Sequence, residues 1–184
     1  VRRRCGIARQ FFSDAVRRRL LDASPFAEMK GVVVRANRSR DYFVTTEEAD
    51  AVLKACPDLQ WQLIFALSRY GGLRCPSEHL VLKWGDVDFD NGRIRVHSPK
   101  TEHHEGKGER VMPMFPELRP FLEAAYKELL TDFDPKVKRV SEQPVIQRYR
   151  DTNAYLRTQL IKIISRANLK PWPKLFQNLR ATRA

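Results

Sequence analysis

Three cationic side chains have neighbours that could make them chemical groups rather than solvated charges. The first is Arg74, in Ser68-Arg69-Tyr70-Gly71-Gly72-Leu73-Arg74-Cys75-Pro76-Ser77-Glu78. An apolar helix runs into a Gly-Gly break, one arginine follows, and a proline is expected to open a new helix. A guanidinium held at such a junction, near a helix N-terminus, suits a phosphate oxygen. The same pattern also fits a surface arginine after a helix C-cap. The second is Lys100, in Pro99-Lys100-Thr101 at the end of a strand-like run. The third is Arg180, in Leu175-Phe176-Gln177-Asn178-Leu179-Arg180-Ala181-Thr182.

The elements that must position these groups are legible from periodicity. Residues 5–22 read as a helix with Ile7, Ala8, Phe11, Phe12, Ala15 and Leu20 on one face, stopped by Ser24-Pro25. Residues 30–42 are basic and aperiodic, as a linker would be. Thr45-Thr46-Glu47-Glu48 offers a capping box for a helix carrying Ala49, Val52, Leu53 and Cys56. Leu59 to Tyr70 is strongly apolar and is expected at the centre of the core. A short helix over 76–83 should follow Arg74 and end at Trp84-Gly85-Asp86, with Asp86 and Asp88 ordering the next turn.

Asp90-Asn91-Gly92 is a turn signal. Arg93-Ile94-Arg95-Val96-His97 alternates as a half-buried strand does, and Arg110-Val111-Met112-Pro113-Met114 reads as its hairpin partner, with Pro113 implying an edge. Pro116 should open a helix bearing Leu118, Phe121, Leu122, Ala125 and Leu129. Asn153 to Ala167 reads as another, with Leu156, Leu160, Ile163 and Ile164 inside. Pro171-Trp172-Pro173 then breaks the chain before a last basic segment. The fold class expected is α+β, mostly helical with a small antiparallel sheet. Trp61, Trp84 and Trp172 fit packing better than base stacking.

Charge narrows the partner. The 184 residues carry a formal net charge of +12, unevenly spread. Residues 1–40 hold a net of +8, residues 41–133 a net of −5 and residues 134–184 a net of +9. Basic ends around an acidic middle fit a polyanion better than bulk solubility, and neutralising phosphates releases counterions. Double-stranded DNA is the expected partner. RNA is the weaker option, for want of the glycine-aromatic signatures of common RNA modules. Cys5, Cys56 and Cys75 are odd in number and far apart, which fits a reducing cytoplasm and no disulfide framework. Glu102-His103-His104-Glu105 sets metal-binding types side by side, but with no partner cluster no metal site is expected. No membrane span is read from the sequence.

In order and spacing these motifs resemble the tyrosine recombinases, or phage integrases. In that family a "GLR…E" stretch carries a first catalytic arginine, a β-hairpin lysine follows, and an "HxLR" stretch carries the second arginine. Here these positions fall on Gly72-Leu73-Arg74…Glu78, Lys100 and Gln177-Asn178-Leu179-Arg180, with Trp84-Gly85-Asp86-Val87-Asp88 between. Ser24-Pro25-Phe26 is similar to the family's "NPF". The resemblance implies the last helix of a core-binding domain over 1–29, a linker over 30–42 and a catalytic domain over 43–184.

It also implies a function: site-specific DNA recombination or integration through a 3′-phosphotyrosyl intermediate, without metal, ATP or other cofactor. Arg74 and Arg180 would clamp the phosphoryl oxygens, and Lys100 would protonate the leaving 5′-oxygen. Lys107, in Gly106-Lys107-Gly108, competes for the lysine role; Lys100 is favoured because "KT" at the strand end is the family's frequent form.

The chain departs from the family pattern in three further ways. The acidic residue usually comes three positions after the first arginine, whereas Glu78 comes four after Arg74. The histidine before the second arginine is Gln177, an amide that can orient a phosphate oxygen but does not titrate. The family's later His or Trp and its tyrosine follow the second arginine, where only Ala181-Thr182-Arg183-Ala184 stand; Tyr149 and Tyr155 precede it and read as packing or surface residues. The expectation is therefore a catalytic domain cut short before its nucleophile and itself inactive, from a cytoplasmic, nucleoid-associated enzyme that acts as a homo-tetramer on DNA. A non-catalytic DNA-binding module of the same fold is the alternative.

Overall fold

The structure, a computed structural model, describes residues 2–29, 38–99, 108–131, 139–151 and 155–182. It divides into two compact units, Val1–Ser39 and Arg40–Ala184.

In the first unit α1 runs over Arg2–Arg17. It ends earlier than the apolar pattern predicts, because Arg19 takes a left-handed conformation (φ 59°) and the Leu20 N–H turns back to the Ala15 carbonyl at 2.9 Å. That six-to-one bond closes the helix before Ser24-Pro25 is reached. Phe12 packs on Phe26, ring centroids 5.1 Å apart, while Ile7 and Phe11 on the same helix stay exposed.

The second unit is built around α3, Leu59–Arg69, in which nine of eleven residues are buried. Such a helix is apolar nearly all round and needs neighbours on several sides. It receives α4 (Arg119–Thr131) and α6 (Leu175–Ala181), with α2 (Thr46–Ala55) packed on α5 (Leu156–Arg166) alongside. The capping box at α2 forms as its sequence signals: the Glu48 N–H donates to Thr45 Oγ1 and the Thr45 N–H to Glu48 Oε2. Asp58 caps α3 by accepting from the Trp61 N–H at 2.8 Å. α4 begins three residues after Pro116, since the Leu118 and Arg119 amides first close a turn on the Phe115 carbonyl.

Strands β1 (Val87–Asp88), β2 (Arg93–His97) and β3 (Glu109–Pro113) form an antiparallel sheet in that order, with Ile94 opposite Met112 and Val96 opposite Arg110. β3 is an edge, as Pro113 requires. β1 was not expected; the Asp88 carboxylate orders the Asp90-Asn91-Gly92 turn by accepting from both the backbone and side-chain amides of Asn91, and the chain before the turn then pairs with β2. Ile94, Val96 and Met112 face the core. Among the described residues the fold is α+β, with six α-helices and one three-stranded sheet.

Candidate functional site

Two glycines deliver Arg74. A Cβ on Gly71 would stand 2.7 Å from the Leu67 carbonyl oxygen and 2.9 Å from Leu73 Cδ1, so only glycine lets the chain pass α3 this closely. Gly72 supplies a φ of 65°, and the Leu73 N–H returns to the Leu67 carbonyl at 3.0 Å. The helix expected over 76–83 does not form. Residues 75–81 are hydrogen-bonded turns, and at Leu82 and Lys83 the chain is drawn out by pairing with a distant segment. The Val145 N–H donates to the Leu82 carbonyl at 2.9 Å, and Lys83 bridges Pro144. Arg74 is thus not held at the start of a helix.

It is held by Glu78. The Glu78 Oε2 accepts from the Arg74 backbone N–H at 2.9 Å and Oε1 accepts from Arg74 Nη1 at 2.6 Å. The turn itself is closed by the Glu78 N–H on the Arg74 carbonyl at 2.8 Å. The spacing of four, one longer than the family's usual three, suits this geometry: one i→i+4 turn brings the carboxylate back over its own arginine. Arg74 Nε and Nη2 make no hydrogen bond among the described residues, and the side chain is 35% exposed.

Two residues that the sequence reading did not single out complete the cluster. Arg110, on β3, lays Nη1 on Glu78 Oε1 at 2.9 Å and Nη2 on Oε2 at 2.7 Å. Ser98, one residue past β2, donates its hydroxyl to Oε1 at 2.8 Å and accepts from Arg110 Nη1 at 2.7 Å. The signal for both was present in the strand alternation. Ser98 continues the Ile94-Val96 face and Arg110 continues the Met112 face, so two polar side chains fall where the pattern points inward. A charge in such a place needs a partner. The Glu78 carboxylate is fully buried. Burial alone would raise its pKa, but the hydrogen bonds from Arg110, the Arg74 backbone and Ser98, with the Arg110 charge, outweigh it and hold the pKa at about 2.

Arg180 belongs to the same electrostatic cluster. It lies on α6, which is seated by Leu175, Asn178 and Leu179. Asn178 Nδ2 donates to the Pro173 and Arg40 carbonyls, and the buried Arg69 at the end of α3 donates from Nη1 to Thr182 Oγ1 at 3.2 Å. The pKa of the half-buried Arg180 is lowered by desolvation first and by the like charges of Arg74 and Arg110, while Glu78 opposes the shift. Its guanidinium has no hydrogen bond or ion pair among the described residues. Gln177 lies one turn before it, exposed. Lys100, Lys107 and the run Glu102-His103-His104-Glu105 lie outside the described residues. Among those described, no three His, Cys, Asp or Glu side chains are placed to hold a metal, and no helix is long and apolar enough to cross a membrane.

Three guanidiniums from separate parts of the chain therefore act on one carboxylate, on the fold of a tyrosine recombinase catalytic domain. Lambda integrase (residues 75–356), in a crystal structure bound to DNA, superposes with a TM-score of 0.63 at 14% identity, covering 97% of this chain and 61% of that one. XerA recombinase superposes with a TM-score of 0.57 at 19% identity, covering 85% of this chain and 52% of that one. The chain thus spans little more than half the length of either. No protein-family model matches the chain, and no curated protein matches it in sequence.

Proposed function

We propose that this chain carries the phosphate-binding site of a tyrosine-type DNA strand-transferase. The observation that carries the reading is the uncompensated positive charge at one place: Arg74, Arg110 and Arg180 against the single carboxylate of Glu78. When a DNA phosphodiester is attacked, negative charge grows on its non-bridging oxygens. Two guanidiniums fixed in advance stabilise that charge without the reorganisation that water would need. Arg74, locked through both backbone and side chain, and Arg180, on a seated helix, serve as that pair. Lys100 gives its proton to the departing 5′-oxygen, Gln177 orients a phosphoryl oxygen, and a tyrosine hydroxyl is the attacking group, storing the bond as a 3′-phosphotyrosyl ester. The DNA bound to lambda integrase supports duplex DNA as the partner here, and so does the basic charge of the chain.

Gln177 favours a second reading, a module of the same fold that holds DNA without cutting it, because an amide cannot exchange a proton at that position. Two measurements test the proposal. Binding of the chain to duplex DNA should fall steeply with salt, and Arg74→Ala should shallow the log–log slope by about one; a flat salt response refutes a DNA interface. In a protein that joins this chain to a downstream tyrosine, Arg74→Ala or Arg180→Ala should cost strand cleavage at least a hundredfold more than DNA affinity, by the scale of a lost oxyanion donor of roughly 10²–10³. Equal losses in both make the arginines plain backbone contacts, and no cleavage even with the tyrosine in place selects the binding module.

A further inference from the structure

The charge count at Glu78 sets Arg110 apart from the other two arginines. Arg110 uses both terminal nitrogens on both carboxylate oxygens, fork on fork, whereas the Arg74 side chain gives Glu78 only Nη1. The fork is the stronger pairing of the two. Ser98 reinforces it by accepting from the nitrogen of Arg110 that also reaches Oε1. We propose that Arg110 is a positioning residue that neutralises Glu78, leaving Arg74 and Arg180 with two uncompensated positive charges, so that the site prefers a doubly charged phosphoryl group over a singly charged one.

This inference rests on the reading of Arg74 and Arg180 as the phosphate pair and adds what that pair alone does not supply. Without Arg110, Glu78 would cancel Arg74 and leave one net positive charge beside Arg180. A ground-state phosphodiester carries one negative charge; the pentacoordinate arrangement formed when an oxyanion adds to it carries two. A cluster with two spare positive charges therefore favours the latter, which is how binding energy becomes catalysis rather than mere affinity. Glu78 remains necessary, because it holds the Arg74 backbone and side chain in place. Arg110 lets that brace exist without cancelling the charge it braces. Its position on β3 also ties the strand pair to the arginine: the Ser98 N–H donates to the Gly108 carbonyl at 2.7 Å, extending the ladder past the His97–Glu109 pair.

The test reads charge preference on the chain itself. Arginine side-chain NMR signals are titrated with sulfate, doubly charged, and dimethyl phosphate, singly charged, at constant ionic strength. The wild-type chain should prefer sulfate by about tenfold, the size expected when one more charge is attracted across a partly screened site. Arg110→Met should lose most of that preference, and Arg110→Lys should keep it within about threefold, since the charge remains. The decisive variant is Arg110→Met with Glu78→Gln. It removes one positive and one negative charge and restores the count, and the amide oxygen that replaces a carboxylate oxygen can still accept from the Arg74 backbone N–H. The ratio of sulfate to dimethyl phosphate affinity should therefore return to that of the wild type even where both affinities fall.

A purely structural role for Arg110 predicts the opposite, a double variant whose preference for sulfate is no greater than that of Arg110→Met alone, and that result overturns the proposal. If Arg74→Ala and Arg180→Ala leave sulfate binding untouched, the phosphate reading of the site fails instead. Circular dichroism on each variant separates lost folding from lost preference. Should Arg110→Met alone fail to fold, the Arg110→Lys and double-variant arms still decide the matter.

Discussion

Replacing Glu78 by glutamine keeps the shape of the side chain and removes the charge on which two arginines converge. The effect on stability follows from the site. The carboxylate is held at a pKa of about 2 against an ordinary 4.5. At neutral pH that shift corresponds to about 3 kcal/mol of charge-dependent stabilisation. The range of about 3–5 kcal/mol for breaking one side of a buried ion pair brackets the same figure. In Glu78→Gln the amide nitrogen must also face donors, and Arg74 and Arg110 are left as neighbouring like charges. For a chain of this size, a loss of about 3 kcal/mol lowers the melting temperature by roughly 6–12 °C.

The pH dependence supplies the sharper check. A carboxylate whose folded pKa is depressed stabilises the protein above its unfolded pKa and loses that contribution as pH falls through the folded one. The gap between wild type and Glu78→Gln should therefore be full at pH 7, begin to close below about 4.5, and be mostly gone by about 2. Urea unfolding at a series of pH values measures it. A gap under about 1 kcal/mol at pH 7, or one that stays constant down to pH 2, would refute the reasoning that Glu78 is an anion pinned by its arginines.

Two other perturbations follow from the same neighbourhood. His79 is fully buried, with Nε2 3.3 Å from Ser68 Oγ and Nδ1 without a hydrogen bond, and burial pushes its pKa down from 6.5 to about 4. A base kept neutral by burial stabilises above its unfolded pKa, so wild-type stability should decline between pH 6.5 and 4, and His79→Gln should flatten that part of the curve in the same urea series. Gly71→Ala places a methyl against the Leu67 carbonyl and Leu73. It should cost about 1–3 kcal/mol in urea unfolding and also weaken sulfate binding at the arginines, because Arg74 is three residues further along the chain that must shift.

Much of the scaffold could be read along the chain because local rules govern it. The capping box at Thr45 and Glu48, the buried helix over Leu59–Arg69 and the alternation of Arg93–His97 each depend on residues a few positions apart. Where a distant segment competes, local rules mislead. The stretch after Pro76 carries a helix-like pattern, yet Val145 and Pro144 draw Leu82 and Lys83 into pairing and the helix is not made.

The sequence by itself determined that Arg74 follows a glycine break, that Arg180 lies in a basic segment after Pro171-Trp172-Pro173, and that a hairpin lies between them. Only the tertiary structure decided which charges meet. Glu78 finds Arg110 thirty-two residues away, and Arg180, more than a hundred residues from Arg74, is brought within its field by the packing of α6 on α3. Periodicity and capping are set by neighbours in sequence, so they survive in a string of letters. The partner of a buried charge is set by what the folded chain carries into reach, and a carboxylate four residues after one arginine looks the same in sequence whether or not a second arrives from across the sheet.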